Sequence, residues 1–169
     1  GLLSRGMRDE MEQRRIADCL DITNHLLERL RDIARDLRPS VLDDLGLAAA
    51  LHWHARRQAE RSGCEVTILD RFTPLSSDIE TAVFRIVQEA VNNAIRHGGA
   101  RHITVTAEVV DQSFALAIQD DGSGFDLKTV SRKPDAGLGL NSMRERAELL
   151  DGQFALTSQA GIGTRVEVF

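Results

Sequence analysis

Residues 84–105 read FRIVQEAVNNAIRHGGARHITV, a stretch whose apolar period changes once, at Gly98-Gly99. Before the glycines the spacing is helical; after them it alternates. Traced upstream, Ile79, Ala82, Val83, Ile86, Val87, Ala90 and Ala94 form one apolar helix face. Ser77-Asp78-Ile79-Glu80 is a capping box that predicts the start of this helix, and the paired glycines predict its end. Downstream, Ile103, Val105, Ala107 and Val109 alternate with polar residues, and Phe114, Leu116 and Ile118 do so again, predicting two adjacent strands with a short connection.

Further out, residues 64–70 (CEVTILD) alternate as a third strand. Leu47 to Arg61 reads as a helix closed by Gly63, and Ser40 as the cap of a short turn through Asp43 and Asp44. Residues 121–139 hold most of the turn formers. Asn141 or Ser142 then caps a helix carrying Met143, Ala147 and Leu150, which stops at Gly152. Residues 153–158 and 164–169 look like a closing hairpin around Gly161 and Gly163. There are no internal repeats.

The N-terminal 38 residues are different. From Met7 to Leu37 there is no Pro or Gly, and Ile16, Leu20, Thr23, Leu27, Leu30, Ala34 and Leu37 mark a heptad seam, widened by Cys19, Leu26 and Ile33 beyond what a two-stranded coiled coil requires. A helix of that length spans roughly 45 Å, more than one small domain covers, so a bundle and a homodimer through residues 7–37 are expected. Arg38-Pro39 ends it. The fold class expected is α/β, preceded by this long bundle or coiled-coil helix, with boundaries at 1–38, 39–63 and 64–169.

The 169 residues match one compact domain plus an extra element. A net charge of −5 argues against phosphate-backbone neutralisation and hence against direct nucleic-acid binding. Cys19 and Cys64 lack metal-site or redox spacing and fit packing roles in a reducing cytoplasm. The chain begins at Gly1 without methionine, which reads as a piece of a longer protein whose membrane anchoring stays open.

Three segments carry candidate chemistry. On the helix from Asp78, Glu89, Asn93, Arg96 and His97 fall along one stripe with Asn92 at its margin, a carboxylate, amides and bases that equally describe a solvated flank. Asp120-Asp121-Gly122-Ser123-Gly124 ends an apolar strand with a carboxylate followed by glycines, which allows close backbone approach to a ligand or simply a turn. It lacks the alternation of a calcium loop. Gly137-Leu138-Gly139-Leu140 stands directly before a capped helix, where unpaired N–H groups and the helix dipole hold anions. A dinucleotide fingerprint fails at Ser142, and a P-loop fails because Lys128 and Lys133 do not follow a glycine. His25 reads as a packing or bundle-surface residue. His52 and His54 face different directions on one helix, against chelation, and His102 has no evident partner.

Taken together these segments resemble the ATP-binding domain of the GHKL superfamily, which includes gyrase, heat-shock chaperone, histidine kinase and mismatch-repair ATPases. FRIVQEAVNNAIRHGGARHITV looks like the N box, DDGSGFD the first glycine box, GLGLNSMRERAELLDGQ the second and GTRVEV the closing strand. LRPSVLDDLGLAAAL is similar to sensor histidine kinases that pair with response regulators carrying helix-turn-helix output domains. The resemblance implies a two-layer α+β sandwich of the Bergerat type with a mixed sheet, and makes residues 1–38 the second helix of a dimerisation and phosphotransfer hairpin. It implies ATP and Mg²⁺ as ligands and the γ-phosphate as the group donated. The receiving histidine belongs to the upstream hairpin helix and has no counterpart in this chain, which is therefore not expected to autophosphorylate.

By the same resemblance, Asp120 would accept from the adenine exocyclic amine, with Thr164 supporting that edge directly or through water. Gly122, Gly124, Gly137 and Gly139, with Leu138 and Leu140, would let the backbone and a lid close over the ribose and phosphates. Asn93 would bind Mg²⁺, Arg96 would pair with phosphate and His97 with the sugar-phosphate region. Glu89 would orient Mg²⁺ and water, its other readings being a general base toward water or a carboxylate steadying Asn92 or Arg96. The competing functions are a nucleotide-binding interaction module, an anti-sigma-factor-like serine kinase and a water-directed ATPase of the same superfamily.

Overall fold

A computed structural model describes residues 40–110, 113–126 and 138–169, all in a unit that begins at Pro39. The expected helix over Met7–Leu37 with its dimer contact, Cys19, His25, Lys128, Lys133 and Gly137 lie outside the described residues. In chain order the elements are α1 (Ser40–Ser62), β1 (Glu65–Arg71), α2 (Ser77–Asn93) running into a π-helical turn (Ala94–Gly98), β2 (His102–Val110), β3 (Ser113–Asp120), α3 (Leu138–Glu148), β4 (Phe154–Gln159) and β5 (Gly163–Val168).

The five strands form one mixed sheet in the order β1-β2-β3-β5-β4. Because α2 crosses over between them, β1 and β2 run parallel; every other neighbouring pair is antiparallel. Side chains alternate across the sheet, so register assembles apolar rows on one face. Ile68, Val105, Ile118, Val166 and Leu156 make one row, and Ala107, Leu116, Val168 and Phe154 the next. The helices cover this face. Val83, Phe84, Ile86, Val87, Ala90 and Val91 of α2 and Leu47, Ala50, Leu51 and Ala55 of α1 are buried in the same core, where each large side chain contributes roughly 2 kcal/mol.

Gly46 divides α1, as the expected turn-then-helix reading requires. Its φ of 71° with ψ of 172° is open only to glycine, and the break lets Leu42 and Leu47 both turn inward. Further along α1, His52 points out to Asp70 at 3.1 Å while His54 points in, edge-on to Phe84 at 5.8 Å. Gln58 donates to Asn92 Oδ1 at 3.1 Å and so ties α1 to the end of α2.

Four local expectations are corrected. The N-cap of α2 is Ser76, whose carbonyl accepts from Glu80 N–H at 3.0 Å and whose side chain makes no capping bond, so the helix starts one residue before the capping box predicts. The helix does not run regularly to the paired glycines: it widens into the π turn, with Gly99 left-handed and Ala100 N–H reaching Ala94 O at 3.0 Å. Leu138, Gly139 and Leu140 belong to α3 itself and do not precede it. That helix ends at Glu148, before Leu150, because Gly152 N–H turns back to Ala147 O at 2.9 Å over Asp151 at φ 58°.

Candidate functional site

Beyond the apolar rows the inner face of the sheet ends in polar side chains. Asp120 stands opposite Ile103 at the end of β3, and Ser158 stands opposite Thr164 across β4 and β5. A cavity of about 410 Å³ opens there, bounded by α2, the ends of β3 and β5, Gly124-Phe125 and the first turn of α3. Its volume falls in the range of small-molecule sites.

Asp120 is its buried charge, 8% exposed. Its carboxylate accepts from Gly122 N–H at 2.8 Å and from the Thr164 backbone N–H. Loss of water raises its pKa above the ordinary carboxylate range, the two backbone bonds oppose the rise, and the neighbouring Asp121 charge adds to it. Asp121 turns the other way. It accepts from the N–H groups of His102 at 2.9 Å and Arg101 at 2.8 Å and bonds His102 Nδ1 at 2.7 Å, which holds its pKa down at about 2. His102 therefore has a partner, against expectation: the turn after β3 folds Asp121 back onto the start of β2.

The glycines owe their places to close packing. A Cβ on Gly122 would lie 2.9 Å from Gly98 O, which accepts from Ser123 N–H at 2.8 Å, and this contact uses the wide π turn. A Cβ on Gly124 would overlap the Gln159 carbonyl, and one on Gly139 would overlap Glu89 Oε1. At Gly163 both constraints meet: φ is 125° and a Cβ would overlap Asp120 O.

On α2, Asn93 Nδ2 donates to Glu89 Oε1 at 3.2 Å, and both residues line the cavity. A carboxylate and a carboxamide are hard oxygen donors. Two such donors side by side fit a cation that takes one or two protein ligands plus water and phosphate, as Mg²⁺ does.

The cavity brings together Glu89, Asn93, His97, Asp120, Gly124, Gly139, Leu140 and Thr164. Arg96 is exposed and does not line it, since the π turn shifts the 100° spacing beyond Asn93. Gly122 lies behind Asp120. Sequence reasoning left out Ile118, Phe125, Met143 and Val166, which give the cavity its apolar wall, and Ser158 behind Thr164.

The sequence profile described as histidine kinase-, DNA gyrase B- and HSP90-like ATPase matches residues 78–169. The chain belongs to this family. Among curated relatives of this ATPase domain, the signal transduction histidine-protein kinase/phosphatase DegS of Bacillus subtilis is 37% identical over 138 residues, 78% of this chain and 35% of DegS. The sensor histidine kinase MctS of Rhizobium johnstonii is 37% identical over 145 residues, 84% of this chain and 32% of MctS. The chain thus spans about a third of the length of these relatives. The solved structure of the histidine kinase AdeS of Acinetobacter baumannii shares the fold with a TM-score of 0.63 at 21% identity, over 88% of this chain and 78% of the solved chain.

Proposed function

We propose that this chain, an ATP-binding catalytic region of the histidine kinase type, holds Mg-ATP in the cavity beside Asp120 and donates the γ-phosphate to a histidine elsewhere in its parent kinase, for relay to a response regulator with a helix-turn-helix output domain. The observation that carries the reading is one cavity lined by a buried acceptor carboxylate, Asp120, and an oxygen-donor pair, Glu89 and Asn93. Asp120 accepts from the adenine amine, with Thr164 beside it. Glu89 and Asn93 hold Mg²⁺, which supplies charge neutralisation at the phosphates, and Glu89 orients the metal and its water. Gly139 and Leu140 bring the first turn of α3 against this pair, where its N–H groups meet phosphate oxygens. Phosphoryl transfer needs positioning and charge neutralisation more than covalent help, and these residues supply both.

In the same reading residues 1–38 are the second helix of the phosphotransfer hairpin and the homodimer contact lies in residues 7–37. Residues 39–63 connect it to the catalytic domain over 64–169. Among the described residues no helix is long and apolar enough to cross a membrane, and ATP as substrate puts the chain on the cytoplasmic side of any anchor its parent carries. An interaction module or a serine kinase is not favoured, since the curated relatives are named as histidine kinases.

Calorimetric titration of the 1–169 chain with a non-hydrolysable ATP analogue, with and without Mg²⁺ and with a GTP analogue as control, tests the reading. Adenine-selective binding strengthened by Mg²⁺ is expected, and Asn93→Ala should cost at least about tenfold in the presence of Mg²⁺. Absence of binding, or an Asn93→Ala chain with undiminished Mg²⁺-dependent affinity, would overturn it.

A further inference from the structure

We propose that Glu89 makes the phosphate end of the cavity repel nucleotide that arrives without a metal, so that the site takes the Mg²⁺ complex and turns away the free anion. The proposal rests on the reading of the cavity as an Mg-ATP site.

Glu89 and Asn93 stand one turn apart on the same stripe of α2. Asn93 Nδ2 donates to Glu89 Oε1 at 3.2 Å, and the same oxygen sits where a Cβ on Gly139 would overlap it. That Cβ would also lie 3.4 Å from Asn93 Nδ2. One oxygen of a half-buried carboxylate is thus held between the end of α2 and the first turn of α3, and all three residues line the cavity.

The place of this charge decides what it does. The first N–H groups of a helix have no partner within it, and together with the helix dipole they favour an anion. α3 starts at Leu138 and runs for 11 residues, and Glu89 brings a negative charge of the chain's own to that start. Phosphate at the same turn is a second anion. Two like unit charges about 4 Å apart oppose each other by about fivefold in an equilibrium constant even in water, and by more where the site is half-buried. Such repulsion acts through space and follows from where the charge lies, whichever way its lone pairs point. With Mg²⁺ held by Glu89 and Asn93, the summed charge at this end changes sign and attracts phosphate. Glu89 therefore has two roles, a donor to the metal and, without the metal, a barrier. Asn93 is neutral and shares only the first.

The test measures ADP and adenosine affinities of the 1–169 chain in EDTA, and ADP affinity again with Mg²⁺. Wild type should bind ADP more tightly with Mg²⁺ than in EDTA. Glu89→Gln removes the charge at nearly constant shape, and its carboxamide oxygen can still accept from Asn93. In EDTA its ADP-to-adenosine affinity ratio should rise about fivefold or more above wild type. Glu89→Asp keeps the charge and should hold that ratio within about twofold of wild type. Asn93→Ala should lose gain from Mg²⁺, as Glu89→Gln does, without raising the ratio in EDTA. A change in packing alone would move adenosine and ADP together. An unchanged or lowered ratio in Glu89→Gln, or the same rise in Asn93→Ala, would overturn the proposal alone. Wild-type ADP affinity indifferent to Mg²⁺ would overturn the proposal together with the metal reading, and binding of neither ligand under any condition would overturn the nucleotide site itself.

Discussion

At Asp120 function and stability pull in opposite directions. Burial raises its pKa, so the unfolded chain gives up this proton more readily than the folded one. The stability tied to the proton is full below the unfolded value and is lost as pH rises through the folded one; at pH 7.5 the ionised carboxylate burdens the fold. Asp120→Asn removes that burden while its carboxamide oxygen still accepts from Gly122 N–H. The expected result is a melting temperature equal to or above wild type at pH 7.5, with nucleotide affinity at least about tenfold weaker because an amide N–H now faces the purine amine. Melting and calorimetry on one preparation check both halves, and a lowered melting temperature with intact affinity would make Asp120 a structural residue. Gly139 poses the reverse case. Alanine should favour the helix by about 1 kcal/mol, yet its Cβ would overlap Glu89 Oε1 and lie 3.4 Å from Asn93 Nδ2. Gly139→Ala should therefore lose Mg²⁺-dependent nucleotide affinity by about tenfold or more, and unaltered affinity would mean that α3 does not need to approach Glu89 closely.

At the scale of elements, α1 carries a pH response that the nucleotide chemistry does not use. His54 is buried against Phe84 with Nε2 unpartnered, and burial first, then the Arg57 charge, lowers its pKa to about 4 from 6.5. The unfolded chain binds the extra proton between those values, so stability falls as pH drops from 6.5 to 4 and levels off below, by about 3 kcal/mol in all. In urea unfolding across that range, His54→Leu should lack this component, its advantage over wild type widening toward pH 4; parallel pH dependences would refute the assignment. The elements themselves were largely legible. Period-two alternation located β1, β2 and β3, the hairpin around Gly161 and Gly163 located β4 and β5, and the 3.6 period located α2, because each buries a single face. Ends were less so. The π turn at Ala94–Gly98 sets Gly98 against the backbone of Gly122, and the early first turn of α3 sets Gly139 against Glu89, both contacts between segments distant in sequence. Asp120, Asn93, Glu89 and Thr164 could be picked out by motif. Ser158 could not, since a serine in an alternating strand looks like a solvent-facing residue. The signal was present nonetheless: Phe154, Leu156 and Ser158 share one parity, as do Val168, Val166 and Thr164, and each inward series turns polar at the same end of the sheet.

For the whole chain, nucleotide binding and phosphate transfer should be separable by a single cut. Among the described residues every one that lines the cavity lies from Glu89 onward, and the core beneath includes Leu42, Leu47 and Leu51 of α1. A cut at residue 64 would strip those side chains from the core, whereas a cut at Pro39, where the compact unit begins, keeps every described core residue. Residues 39–169 should therefore bind the ATP analogue within about threefold of the affinity of 1–169, a difference worth less than about 1 kcal/mol. Sedimentation should show 39–169 as a monomer and 1–169 as a dimer through residues 7–37. Neither should gain acid-labile phosphate from ATP, because the proposed acceptor histidine lies elsewhere in the parent kinase. A much weaker site in 39–169 would mean that the N-terminal segment shapes the cavity, and acid-labile phosphate on His25 of the longer chain would place the acceptor within residues 1–38. Equal binding, a lost dimer and no phosphoprotein would assign ATP recognition to the sheet and its three helices, and leave transfer to the geometry in which a dimer presents its histidine.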